Sequence, residues 1–283
     1  RTIKISVLNY MDDFLWSDSL EKMSGLIEMV KWLLPTLGFL FNDKCEWEPS
    51  SAVGFLGLLV DAENYEVRVP VDKLARVSKV VTIMKERALK GEAISIQDVR
   101  ILTGRFMSMQ LAIPAVRVWT RALYRDIAEA KSEQSILSKE SCDELTFWQA
   151  NLERLNGCAI ASPRHELIAY ADAGELGWGF HVNHLEAAGQ LPENVIGTSS
   201  TLRELTAVRL GLHALAAMLK GRRVLLKLDS FAATRNLVKG GGPVAELCEV
   251  VKSVWSFCDE QKIRLTAMWI PRENNARADA LSK

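Results

Sequence analysis

From Ile168 to Ala173, and again from Leu176 to Val182, the chain is apolar and aromatic, with an acidic break at Glu175 between the runs. That pattern predicts two adjacent β-strands joined by a turn, and it places Asp172 inside the first strand, facing a sheet surface. Leu202, Leu205, Val208, Leu212, Leu215 and Leu219 then recur at helical spacing. Thr201 and Glu204 form a capping-box pattern at the start of that helix, which sets Glu204 on its first turn. The short apolar run Val224 to Leu228 suits a central strand, and Asp229 follows where the strand stops, at the carboxyl edge where open α/β sheets carry their sites. A helical stretch from Val244 to Gln261, a strand from Ile263 to Trp269 and a closing helix from Asn274 that carries Asp279 complete the pattern. Strands alternating with helices in this way predict an α/β fold with a mixed sheet covered by helices.

Upstream, Ile3 to Trp16 reads as two apolar strands around the pair Asp12 and Asp13, a hairpin with both acids at its tip. Leu20, Met23, Ile27, Val30, Leu34 and Leu37 make a helical stripe, introduced by Ser17 or Asp18 and kinked or ended at Pro35, which lacks a backbone donor. Leu74, Val77, Val81, Met84 and Ala88 predict one amphipathic helix. Val99, Leu102, Phe106 and Met109 predict another, starting at Ser95 and Asp98, and Leu145, Trp148, Leu152 and Leu155 a third. Arg117, Arg121 and Arg125 fall on one helical face, the kind of basic surface that suits a polyanion backbone. The stretch NGCAIASPR is the expected boundary before the C-terminal unit.

Composition narrows the class. A chain of 283 residues with 48% hydrophobic residues can hold about two cores. Thirty-five basic residues balance 35 acidic ones, so any nucleic-acid binding must come from local patches. The absence of a long apolar stretch or a signal peptide predicts a soluble intracellular protein, in the cytoplasm or nucleus, with no membrane partner. Five cysteines in no Cys-x-x-Cys pair predict reduced core thiols, and His181 and His184 are expected at the surface.

The chemistry lies in Asp172, Glu204, Asp229 and Asp279. Four gathered carboxylates repel one another and are costly to bury, and cations offset that cost. Two divalent ions about 4 Å apart would do so and would clamp the attacking water and leaving oxygen of a phosphodiester, and oxygen ligands favour Mg2+ or Mn2+ over zinc.

The order of strands, helices and acids resembles the ribonuclease H domain over about the last 120 residues. The texts AYADAGELGWGFHV and ENNARADALSK are most similar to the version in DIRS-type retroelements. The resemblance implies a five-stranded mixed sheet, with Asp172, Glu204, Asp229 and Asp279 as ligands of two ions, Asn275, which matches the family pattern, as a nucleic-acid contact, and RNA/DNA hybrid as substrate. Trp269 stands where the family commonly has a loop histidine, which implies weakened activity. Tyr10, Met11, Asp12 and Asp13 resemble the reverse transcriptase palm hairpin, which implies a second pair of cation ligands in Asp12 and Asp13. It further implies that Lys44 lies near an incoming nucleotide and that Phe55, Leu56 and Gly57 grip a primer–template. The domains expected are a partial palm over 1–70, a helical thumb and connection over 71–160, and a ribonuclease H-like domain over 161–283. The same resemblance implies that polymerase chemistry also needs an aspartate on an earlier strand and fingers that close on the nucleotide, so this stretch alone is expected not to synthesise DNA. The competing expectation is a decayed or domesticated copy that keeps the fold as a nucleic-acid-binding scaffold.

Overall fold

A computed structural model describes residues 6–160 and 164–283. The opening hairpin pairs β1 (Ser6–Tyr10) with β2 (Asp13–Ser17), in a register that sets Tyr10 opposite Asp13. Its two-residue turn is therefore Met11 and Asp12, one residue earlier than the expected Asp12–Asp13 tip, and Met11 takes the positive φ of 54° that such a turn needs. The expected start of the first strand, Ile3 to Ile5, lies outside the described residues. In α1 (Leu20–Thr36) the predicted stripe is only partly covered: Val30 is buried and Met23, Ile27 and Leu34 are half-buried, whereas Leu20 is 80% and Leu37 63% exposed; Leu26, outside the stripe, is buried as well. Ser19, one residue past the expected caps, precedes the helix, which stops one residue beyond Pro35.

Next come β3 (Ala52–Phe55), β4 (Leu58–Asp61) and β5 (Glu66–Arg68), an antiparallel set whose first turn places Leu56 and Gly57 both at positive φ. A helical body follows, made of α2 (Val71–Leu89), α3 (Ile96–Met107), α4 (Arg121–Glu129) and α5 (Lys139–Asn151), with the short pair β6 (Ile94–Ser95) and β7 (Gln134–Ser135). Its core is built on Val81, Val99, Leu102, Phe106, Leu145 and Trp148, with Phe106 stacked on Trp148 at 4.7 Å. The expected boundary stretch returns to the first unit, because β8 (Cys158–Ala159) pairs with β5.

The predicted arginine stripe does not form. Pro114–Arg117 is a 3-10 turn and Thr120 breaks the chain before α4, so Arg117 and Arg121 do not share one helix. Both reach instead for the C-terminal half: Arg117 donates to the Val238 carbonyl, and Arg121 to those of Lys239 and Gly240.

That half carries β9 (Leu167–Ala173), β10 (Gly177–Val182), β11 (Leu185–Gln190), α6 (Ser200–Ala214), α7 (Ala216–Leu219) and β12 (Arg223–Leu228). It continues through α8 (Phe231–Lys239), α9 (Ala245–Glu260), β13 (Arg264–Trp269) and, after a 3-10 turn at Arg272–Asn275, α10 (Ala276–Leu281). The sheet order is β11-β10-β9-β12-β13, with the first three strands antiparallel and β12 parallel to both neighbours. This is the mixed five-stranded sheet expected from the sequence. Its core runs through Ala169, Ala171, Phe180, Leu205, Val208, Leu212, Val224, Leu226 and Leu228. α6 can lie this close to the sheet because position 211 is glycine: a Cβ there would stand 2.1 Å from the Phe180 ring.

Three elements of this half depart from the sequence pattern. The helix predicted as continuous to Leu219 breaks at Leu215, and its cap is Ser199, whose side chain accepts from Leu202 N, not Thr201. Glu204 consequently sits just past the first turn and is released from capping. α8 and the edge strand β11 have no counterpart among the predicted elements. His181, expected at the surface, is buried and stacks on Tyr170 at 4.6 Å. All five cysteines are free, and no helix among the described residues is long and apolar enough to cross a membrane.

Candidate metal centre

Parallel pairing of β9 with β12 creates the site. The register matches Tyr170 with Lys227, and two residues further along both strands Asp172 lies beside Asp229 at the same carboxyl edge. α6 packs across β9 and lowers Glu204 onto that edge. One carboxylate oxygen from each of Asp172, Glu204 and Asp229 lies within 4.8 Å of the others. Asp172 and Glu204 are buried and Asp229 is half-buried.

The electrostatics of this trio are unfavourable without a counter-charge. Burial, followed by the charges of Asp172 and Asp229, pushes the Glu204 carboxyl up to about 9. Burial also raises Asp172, partly offset by a hydrogen bond from Ser282. Glu204 Oε2 has no hydrogen-bond partner although it is enclosed by protein. A buried polar atom without a partner is rare because it forfeits its hydration for nothing in return. A hard divalent cation fits this donor set: three carboxylates, no thiolate, no imidazole, and one oxygen already stripped of partners.

Around the trio the chain supplies supports that sequence reasoning missed. Ser282 Oγ donates to Asp172 Oδ2 at 2.7 Å and lies 2.9 Å from the Asp279 carbonyl oxygen, tying β9 to the end of α10. The signal was present, since Ser282 follows Asp279 by three residues, one helical turn. Asp279 stands apart from the tight trio. Arg272 Nη2 at 2.9 Å and Lys283 Nζ at 2.5 Å hold its carboxylate, and their hydrogen bonds, that from Lys283 first, keep it below the usual carboxylate range. Its charge still reaches Asp172. Asn275 is 1% exposed and donates through Nδ2 to the Ala171 carbonyl, so it is a strut between the closing turn and β9, with no surface left to meet a nucleic acid. Trp269 is 47% exposed, and its Nε1 donates to the Asp229 carbonyl at 3.0 Å.

The N-terminal candidates lie elsewhere. Asp12 and Asp13 are exposed on the β1–β2 hairpin, and among the described residues they join no group of three potential ligands. Lys44 is exposed in the loop after α1, and Phe55, Leu56 and Gly57 form the β3–β4 turn, where Lys73 Nζ donates to the Gly57 carbonyl.

A pH dependence follows from Glu204. In cation-free protein its folded value near 9 lies above the unfolded 4.5, so between those limits the folded state keeps a proton that the unfolded state has released. The associated stability is fully present below pH 4.5 and is lost as pH rises through about 9. Urea unfolding in EDTA is expected to weaken by about 1 kcal/mol per pH unit between 6 and 8. Glu204→Gln should flatten that slope, and an equally steep slope in the variant would remove Glu204 as its source.

No protein-family model matches the chain, and no curated protein matches it. Solved structures do. A ribonuclease H1 isolated from compost by a metagenomic approach is 25% identical, over 42% of this chain and 93% of that one, with a TM-score of 0.36. Ribonuclease H1 from the halophilic archaeon Halobacterium salinarum is 19% identical, over 41% of this chain and 92% of its own, at 0.34. The foamy viral protease-reverse transcriptase, solved in complex with an RNA/DNA hybrid, is 11% identical over 93% of this chain and 35% of its own, at 0.48.

Proposed function

We propose that the C-terminal unit hydrolyses the RNA strand of RNA/DNA hybrids at a two-cation site formed by Asp172, Glu204, Asp229 and Asp279, within a retroelement reverse transcriptase of the DIRS type. The observation that carries this reading is the buried trio with its orphaned Glu204 oxygen. Bound Mg2+ or Mn2+ supplies the charge that makes water nucleophilic and stabilises the departing 3′ oxygen.

The chain's own part is to hold and release charge. Ser282 holds the Asp172 carboxylate by a hydrogen bond, and Glu204, whose carboxyl is raised by burial, would release its proton to a bound cation's charge. Asp172, Glu204, Asp229 and Asp279 would hold the cations, and Arg272 and Lys283, which pair with Asp279 at the edge of the site, would then be available to substrate phosphates. The two separate apolar cores support a division of the chain near residue 160. For the N-terminal unit the proposal keeps Asp12 and Asp13 as cation ligands of a partial polymerase palm, and Lys44, Phe55, Leu56 and Gly57 as primer–template contacts. The turn through Leu56 and Gly57 supports the latter by presenting its tip to solvent. Arg117 and Arg121 are occupied between the units, which leaves Arg125 as the remaining member of the basic face for phosphates.

The test is cleavage of a labelled RNA strand with Mg2+, compared between hybrid, single-stranded RNA and duplex DNA. Cutting confined to the hybrid is expected, and equal cutting of single-stranded RNA would contradict the substrate assignment. The second reading, a scaffold that binds nucleic acid without cutting it, is favoured by the pairing of Asp279 with Arg272 and Lys283 and by Trp269 in the histidine position. Wild-type protein that binds hybrid and leaves it intact would select that reading.

A further inference from the structure

Two large apolar rings close to Asp229 are left in solvent. Phe231 opens α8, two residues after Asp229, and is 61% exposed. Trp269 ends β13, pairs in register with Leu228 at the end of β12, and is 47% exposed. α8 packs against β13, which brings the elements that carry the two rings together. Exposed apolar groups are common singly, but these two are both tied to Asp229 of the carboxylate trio, Phe231 by following it in the chain and Trp269 by its hydrogen bond. The indole is fixed by its hydrogen bond to the Asp229 carbonyl, and Phe231 is the first residue of a helix capped by Ser230. The exposed Arg235 guanidinium lies 5.9 Å from the Phe231 ring centroid, adding a cation to the apolar rim.

The chemistry of this rim selects its partner. The indole N–H is already used by the Asp229 carbonyl and the phenyl ring has no donor, so neither ring can read base edges by hydrogen bonding. What they offer is flat apolar area beside a positive charge. The wide, shallow minor groove of an A-like helix presents sugar faces next to phosphates and fits that offer without sequence readout. We infer that Phe231 and Trp269 pack on sugar faces of the RNA/DNA hybrid flanking the scissile phosphate, with Arg235 on a neighbouring backbone phosphate. The inference rests on the hybrid-nuclease reading and names the surface that seats the substrate over the carboxylates.

Binding and cutting are measured separately. Fluorescence anisotropy with a short labelled hybrid in EDTA reports seating without turnover. Phe231→Ala and Trp269→Ala are each expected to weaken hybrid binding about tenfold, the size implied by losing roughly 60 Å² of apolar contact, with the effect in cleavage assays falling on KM. Trp269→Phe keeps a ring but removes the N–H, and is expected to retain most of the hybrid affinity. The loss should be the same for hybrids of unrelated sequence. Hybrid binding equal to wild type in both alanine variants would overturn the inference. So would Trp269→Phe binding as weakly as Trp269→Ala, which would make the indole a support for Asp229 alone, and so would a larger loss for single strands than for hybrid. Phe231 is exposed and lies outside the core, so Phe231→Ala tests the surface even if a Trp269 variant folds poorly. Failure of the nuclease reading looks different: wild-type protein would cut no hybrid, whatever the ring variants bind.

Discussion

Asp229→Asn is expected to lower Mg2+-dependent cleavage of hybrid RNA by about 10³-fold, with the fold intact. The substitution keeps the shape of the side chain and removes one negative charge from a trio whose oxygens lie within 4.8 Å of one another. A cation at a phosphoryl-transfer site contributes several kcal/mol of transition-state stabilisation, and losing about 4 kcal/mol of it corresponds to three powers of ten. The same change relieves repulsion in the cation-free protein, because Asp229 is one of the charges that raise both Glu204 and Asp172. Asp229→Asn should therefore be at least as stable as wild type in EDTA while failing to cut. Single-turnover cleavage beside urea unfolding checks both halves. Comparable cutting by wild type and variant would indicate a contaminating nuclease and remove the main support for the site.

Lys252→Met is expected to destabilise the chain by about 3 kcal/mol, through a feature remote from the carboxylates. Lys252 on α9 reaches across to Glu144 on α5, where Nζ and Oε1 are 2.8 Å apart and the Glu144 side chain is fully enclosed. Glu144 also accepts from the backbone N–H groups of Ala122 and Leu123 at the start of α4, and Lys252 lies over the Trp119 ring at 5.3 Å. One carboxylate thus caps a helix of the first unit and holds a cation from the second. Burial still raises the Glu144 carboxyl against these partners, so removing the lysine leaves an expensive charge behind. Lys252→Met/Glu144→Gln should recover part of the loss, because both partners of a buried pair then go together. Urea midpoints measure this, and a Lys252→Met loss below about 0.5 kcal/mol would show that the pair is not a fastener between the units.

Where local chemistry decided the structure, the sequence was legible. The leucine spacing from Leu202 to Leu212 marks α6 because that face packs on a sheet, and the apolar runs of β9, β10 and β12 mark strands enclosed by neighbours. β11 escaped because it is an edge strand whose residues, LEAAGQ, are mostly exposed and therefore do not alternate. α8 spans nine residues, too short for a convincing stripe, although Ser230 before it and Gly240 after it were readable caps. Gly240 answers two demands at once, a left-handed φ of 70° and a backbone approach that would bring a Cβ within 2.6 Å of Arg117. The N-terminal stripe marked a helix that forms, but periodicity records which face is apolar, not whether anything covers it, and Leu20 and Leu37 at its ends stay exposed.

For the site, the positions of Asp172 and Asp229 at strand ends could be read locally. Their proximity could not, since it depends on the parallel register of β9 with β12 across more than fifty residues. The pairing of Asp279 with Arg272 and Lys283 was likewise hidden until the closing turn was placed.

The central claim is that Asp172, Glu204 and Asp229 are gathered to hold divalent cations, and titration calorimetry with Mg2+ or Mn2+ at pH 8, in two buffers of different ionisation enthalpy, tests it most directly. Saturable binding is expected, with release of close to one proton per protein as Glu204 ionises, and with loss of binding in Asp172→Asn. An absence of saturable binding by wild type, or identical binding by wild type and Asp172→Asn, would contradict it.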